Sequence, residues 1–128
     1  RTETVADTIT PTPYAALSAT LDRPVGRPEK GTPLPALWHW LYFLPQTAQA
    51  ELAADGHPER GGFLPPVALP RRMWAGGRLQ FHASLRIGDE VTRRSEVVSV
   101  QQRNGRSGSM VFVGVRHEKA SAVRRQAW

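Results

Sequence analysis

Asp55 and His57, separated by Gly56, are the chain's only local Asp-x-His pair. A carboxylate and an imidazole at that spacing can share a proton, which is what general acid–base work requires. The surrounding stretch has no helical or strand period and reads as a loop, where working residues often sit. The bland alternative weighs more: Asp and Gly are also the residues that close a helix or make a turn. Arg60, Arg71, Arg72 and Arg78 bracket Gly76 and Gly77. Planar guanidinium groups pair with phosphate oxygens in two-point fashion, and paired glycines let a backbone approach a ligand closely. The same arginines could equally form a solvated charged edge.

The other three histidines carry less. His39 lies between Trp38 and Trp40, where a hydrogen-bonded core histidine is the favoured reading. His82 and His117 fall on polar faces of extended segments. Four scattered histidines without a paired spacing do not make a tetrahedral metal set, so no metal is expected. With no cysteine, thiolate nucleophiles and disulfides are excluded. Trp38, Trp40, Phe43 and Trp74 could line an apolar pocket, although aromatic residues at this density are more often core; Trp74 is the better wall candidate, with Trp38 beside it.

These residues need a scaffold, and 128 residues suffice for one core. A 40% apolar and 22% charged composition suits a folded globular chain. No run of about 18 apolar residues is present, so no membrane span is expected. The polar, acid-bearing first residues are unlike a secretion leader. Without an initiator methionine, the chain begins inside a longer polypeptide or follows processing. A cytoplasmic location is compatible with all of this. The balance of 17 basic and 11 acidic residues, +6 overall, favours an anionic partner. Nucleic acid is disfavoured because the aromatic residues are not interleaved with the basic ones in an RNA-binding pattern.

Along the chain, Thr12 as cap and Pro13 at the first helical position predict a helix through Tyr14, Leu17, Ser18 and Leu21, closed by Asp22-Arg23-Pro24. A Pro- and Gly-rich loop follows over 22–35. The aromatic run 37–44 reads as a buried strand, with a short helix the alternative. An alanine-rich piece, 47–54, predicts one short helix. Leu79, Phe81, Ala83, Leu85 and Ile87 alternate with polar residues, which predicts a half-buried strand. Gly88-Asp89 turns the chain, 91–102 is extended, Asn104-Gly105 supplies a hairpin turn, and 110–115 is a further strand. The whole is an α+β arrangement: an N-terminal segment 1–13, one domain over 14–118, and a loosely held tail, 119–128.

The run LWHWLYFLP at 37–45, followed by DGHPERGGFLPPVALPRRMWAGGRLQFHASLRIGDEVTRRSEV at 55–97, resembles the N-terminal domain of MaoC-like double hot-dog acyl-CoA hydratases and dehydratases, of the mesaconyl-CoA and itaconyl-CoA hydratase-like and type 2 hydroxyacyl-thioester dehydratase kinds. The most specific portion is PRRMWAGGRLQF with the Gly88-Asp89 turn. The resemblance implies a hot-dog fold, an antiparallel sheet wrapped around a helix and paired with a second hot-dog unit. It implies an acyl-CoA thioester as substrate, with no other cofactor, and makes Arg60, Arg71, Arg72, Arg78, Gly76 and Gly77 candidates for the coenzyme A moiety. Trp74 and Trp38 become candidates for the acyl pocket.

Family members carry two hot-dog halves, and this chain spans one. Their catalytic motif, an aspartate then Asn-Pro and a histidine on the hot-dog helix of the other half, has no counterpart here, because no Asn-Pro occurs. The expectation is therefore a substrate-shaping half, with Asp55 and His57 the sole local substitute for the missing pair. A homodimer or pairing with a catalytic half follows from the sheet edges that an isolated half leaves open. The competing reading is a non-catalytic dimeric scaffold or thioester-binding protein.

Overall fold

Thr10 adopts an extended conformation and Pro11 supplies the first helical residue, so α1 runs Pro11–Thr20. The helix thus begins two residues earlier than the Thr12-Pro13 reading, since the first proline already provides the preset φ. It stops as the sequence predicts. The amide of Asp22 donates to the Ala19 carbonyl and that of Arg23 to the Ser18 carbonyl, with Asp22 left-handed at φ 55°. This is a Schellman closure, in which a short polar residue tolerates the left-handed position and Pro24 bars continuation. The computed structural model describes residues 1–24, 26–59, 62–67, 69, 72–106 and 108–121.

Three strands form one sheet in the order β1 (Thr2–Thr8), β2 (Glu90–Gly105) and β3 (Gly108–Ser121). The Ile9 amide donates to the Asp89 carbonyl and the Val97 amide to the Arg1 carbonyl, which makes β1 antiparallel to β2. β2 and β3 are joined as a hairpin. Asn104 and Gly105 remain within β2, and the reversal falls just after them, with Gly108 at φ 110° opening β3. The Oγ of Ser95 on β2 lies 2.7 Å from Nδ1 of His117 on β3. An antiparallel sheet with a helix is the arrangement that the hot-dog expectation requires.

Other expectations need correction. The run 79–87 is not a strand: within it only Arg86 forms an antiparallel bridge, to Pro33. Leu85 and Ile87 are buried, whereas Leu79 and Phe81 are exposed. The Leu34 amide donates to the Leu85 carbonyl and the Ile87 amide to the Thr32 carbonyl on either side of that bridge, so the pairing is real but short. The aromatic run 37–44 takes the helical alternative, as a 3-10 turn over Trp38–Leu41 flanked by left-handed Leu37 and Phe43. Its backbone bonds three residues back, satisfying itself locally. The alanine-rich piece yields only a 3-10 turn, Gln49–Glu51, since so short a segment does not offset helix nucleation. Residues 2–8, read as a segment outside the domain, are strand β1, and 119–121 complete β3. Residues 122–128 of the expected tail lie outside the described residues.

The chain separates into two contact units. One contains Thr4–Leu44, Leu79–Arg94 and the chain from Glu118; its core is Ile9, Leu34, Trp38, Tyr42, Phe43, Leu85, Ile87 and Val91, with Val5, Tyr14, Leu17 and Leu41 packed against it. The other contains Arg1–Glu3, Pro45–Arg78 and Ser95–His117. None of its residues is among those core side chains, and Val98, Val100, Met110 and Phe112 of its strands are exposed. Among the described residues no helix is long and apolar enough to cross a membrane.

Candidate functional site

Asp55 and His57 meet in a turn of the second unit. The chain is pinned by a bridge between Leu52 and Pro58 and by an Ala53 amide that donates to the His57 carbonyl at 2.7 Å. Within it the His57 amide donates to Oδ1 of Asp55 at 3.0 Å, and Nδ1 of His57 lies 3.2 Å from Oδ2. Both side chains are exposed to solvent. The backbone bond from His57, aided by its ring and by the charge of Arg72, holds the Asp55 carboxyl below its ordinary range. The pair borders an open depression of about 350 Å³ with Ala53, Pro58, Glu59 and Val67. A carboxylate so held is a good acceptor and a poor proton donor.

Arg72 is half-buried, close enough for its charge to act on Asp55. Arg78 and Gly76 are exposed, and a side chain at Gly77 would meet the Trp74 indole at 3.4 Å. Trp74 itself is 79% exposed. Arg60 and Arg71 lie outside the described residues. The structure therefore brings Asp55, His57 and Arg72 together, and sets Trp74 against Gly77. Trp38 belongs to the core of the other unit, with its ring 5.1 Å from Tyr14 and the Arg23 guanidinium 5.1 Å away over it.

His39 is a core histidine. It is 5% exposed, with Trp40 at 5.6 Å and Phe81 at 5.9 Å between ring centroids. Burial, helped by the charge of Lys119, lowers its pKa to about 4, so the ring is neutral at pH 7. His82 sits in an exposed bend, and His117 on β3 pairs with buried Ser95. No group of three or more His, Asp or Glu that could hold a metal is present among the described residues.

Sequence reasoning passed over the charges around Phe43. The Lys119 ammonium lies 5.2 Å and the Arg93 guanidinium 5.5 Å from the centroid of its ring. Lys119 is 8% exposed, and its pKa falls to about 8 through burial and, less, through Arg93. The alternation of Val91, Arg93 and Ser95 was the available signal, because it places Arg93 on the inward face.

The sequence pattern of the family described as hydroxyacyl-thioester dehydratase type 2 matches residues 37–128. A mesaconyl-C(4)-CoA hydratase of Chloroflexus aurantiacus is 49% identical over 118 residues, which are 92% of this chain and 42% of the relative. The chain thus spans less than half the length of that curated protein. With the antiparallel sheet and helix already in place, the match over most of the sequence makes this chain a hot-dog domain that belongs to the type 2 hydroxyacyl-thioester dehydratase family.

Proposed function

We propose that the chain is the substrate-shaping half of an acyl-CoA hydratase/dehydratase, and that the acid–base pair is supplied by a second hot-dog unit. The observation that carries this is the state of the local Asp–His pair. Hydration of an enoyl thioester needs a base to take a proton from water as its oxygen adds to the β-carbon, and an acid to protonate the α-carbon. It also needs donors for the enolate-like oxygen. Asp55 instead accepts the hydrogen bonds of its own turn in an exposed loop. No Asn-Pro precedes a histidine elsewhere.

In this reading the thioester's coenzyme A phosphates meet Arg60, Arg71, Arg72 and Arg78 around Gly76 and Gly77, and the exposed Trp74 offers its face to the ligand. Trp38 is the further candidate for the acyl pocket. From β1 through β3 the chain acts as one hot-dog domain, in the cytoplasm, with no cofactor beyond the thioester. The relative's name points to a dicarboxylic substrate: mesaconate bound through C4 keeps its other carboxylate free. Exposed Val98, Val100, Met110 and Phe112 favour pairing, with a catalytic half or with a second copy as a non-catalytic scaffold.

The test is loss of the enoyl-thioester absorbance with crotonyl-CoA and mesaconyl-C(4)-CoA, alongside calorimetric binding. Binding by the 128-residue chain without turnover supports the assignment, and loss of binding in the Arg71→Ala/Arg72→Ala variant supports the coenzyme A site. Turnover by this chain alone overturns the substrate-shaping role. Dimerisation without thioester binding leaves the scaffold.

A further inference from the structure

Asn104 is the only asparagine in the chain, and a glycine follows it. The side-chain amide carbon of an asparagine lies within reach of the next residue's backbone nitrogen. Closing that five-membered ring is an intramolecular step, and it is least obstructed when the next residue has no side chain. Here the pair occupies the last two positions of β2 and is exposed. β1 pairs with β2 as far as Val97, whose amide donates to the Arg1 carbonyl. Beyond that point the hairpin is, among the described residues, a two-stranded ribbon, and every residue from Val98 to Arg106 is exposed. Such a ribbon is marginal in water, and its end opens at small cost.

The end of the hairpin also holds the reacting amide. The Ser109 hydroxyl on β3 donates to Oδ1 of Asn104 at 3.1 Å. That oxygen turns negative when a nucleophile adds to the amide carbon, so the hydroxyl meets the charge as it develops. No side chain of its own covers the Gly105 nitrogen, and a Cβ built there would lie 3.0 Å from the flexible end of Met110. Arg103 and Arg106, both exposed, flank the pair in sequence and favour a negative charge between them.

We propose that Asn104 is a site of spontaneous covalent modification, at which the hairpin end, with Ser109 as hydrogen-bond donor, converts the amide to a carboxylate and releases ammonia. Hydroxide removes the Gly105 amide proton, and the nitrogen forms a bond to Cγ of Asn104. The Cγ–Nδ2 bond breaks, and Nδ2 leaves as ammonia with a proton taken from water. The cyclic imide then takes up water at one of its two carbonyls. Opening on one side gives aspartate; opening on the other gives isoaspartate, whose main chain runs through the side-chain methylene. One water is consumed and one ammonia released, with no oxidant or reductant. The new carboxylate stands between Arg103 and Arg106 and lowers the net charge of +6 by one. The isoaspartyl form also lengthens the main chain by one atom, which shifts the pairing at the hairpin end. Neither Asn104 nor Ser109 belongs to the core cluster, so the fold survives the change and the product accumulates. The inference is independent of the thioester reading.

The 128-residue chain is incubated at pH 7 and pH 9 in water enriched in heavy oxygen, beside a synthetic peptide of residues 101–109. Chymotryptic peptides are then followed by mass spectrometry. Heavy oxygen is present only during the incubation, so its uptake separates conversion in the folded protein from conversion during digestion. One heavy oxygen should enter at residue 104, in two products of equal mass, and faster at the higher pH. The folded chain should convert within about tenfold of the peptide rate, since opening the hairpin end costs little. Ser109→Ala should slow the folded chain by about threefold to tenfold, as for one lost hydrogen bond, and leave the matching peptide unchanged. Asn104→Gln, which would have to close a six-membered ring, should abolish the uptake. Circular dichroism checks that both variants fold. Conversion more than about tenfold slower in the folded chain than in the peptide overturns the proposal, because the strand ladder then protects Asn104. A Ser109→Ala rate equal to or above wild type overturns it as well, because the hydroxyl then restrains the amide or does nothing to it.

Discussion

The amide of Phe43 donates to the carboxylate of Asp7 across 36 positions of sequence, and this bond fixes a bulky residue in a left-handed conformation. Asp7 sits on β1 with its side chain turned inward; Phe43 follows the 3-10 turn that carries Trp38 and His39 into the core. Strand and aromatic turn are thereby tied at one point by a charge-assisted bond. Tyr42 adds a second tie through its hydroxyl, which donates to the Thr10 carbonyl at 2.6 Å.

Asp7→Ala should therefore destabilise the protein by about 2 kcal/mol, because it leaves the Phe43 amide without its acceptor and the left-handed residue without its clamp. Asp7→Asn, which keeps an acceptor oxygen but no charge, should cost about half as much. Urea unfolding checks both. Wild-type stability in Asp7→Ala would show that the strain at Phe43 is carried by packing alone.

Acid should weaken the fold through His39. Its folded pKa of about 4 lies below the ordinary imidazole value of 6.5, so the unfolded chain takes up the proton first as pH falls. Stability from the neutral ring is complete above about pH 6.5 and is lost progressively toward pH 4, by about 2 kcal/mol at pH 5. His39→Phe should flatten that dependence between pH 7 and 5. An unchanged slope in the variant would assign the acid sensitivity to another group.

The parts of this fold that follow from local chemistry are readable in the sequence, and those that depend on a distant partner are not. Asp22-Arg23-Pro24 announces the end of α1, and the extended run after Gly88-Asp89 announces β2. Strand β1 escapes notice because Glu3 and Asp7 take inward positions where a strand normally shows apolar residues; Asp7 is there to bind an amide 36 residues away. The alternation at 79–87 misleads for the converse reason, since the segment that faces it supports only one bridge, at Arg86. At the candidate site, the Asp55-x-His57 spacing correctly brings the two side chains together, yet only the structure shows that the turn consumes the carboxylate. Lys119 is concealed by its position near the end of the chain, where a loose tail is the ordinary expectation.

Lys119→Met should change how stability responds to alkali in the ligand-free protein. The folded lysine has a pKa near 8 against an ordinary 10.5, so the unfolded chain binds the proton over a range in which the folded one does not. Stability is greatest above about pH 10.5 and declines as pH falls to about 8, below which the penalty is constant. The methionine variant should lose this slope and gain about 1 kcal/mol at pH 7, part of the gain being offset by the lost contact of the ammonium with Phe43. Denaturant midpoints at pH 7, 8.5 and 10 decide it; a variant less stable than wild type at every pH would mean that the charge is satisfied in the free protein.

Asp55 provides the sharpest separation of a turn residue from an acid–base residue. Its carboxylate accepts the His57 amide and faces the His57 ring, and the backbone bond is the main reason that it stays ionised to lower pH than an ordinary aspartate. A group poised in that way neither donates a proton near pH 7 nor gains from a ligand that displaces the bond. In the complete enzyme, Asp55→Asn retains an oxygen for the turn, so turnover of its enoyl thioester should stay within about twofold of wild type, whereas removal of a true general acid or base lowers rates by about 10²–10⁴. The pH profile of kcat/KM gives an independent readout, because a turn residue leaves its inflections in place. A drop of about a hundredfold with one limb of that profile lost would restore Asp55 and His57 as the catalytic pair and make this half the active one.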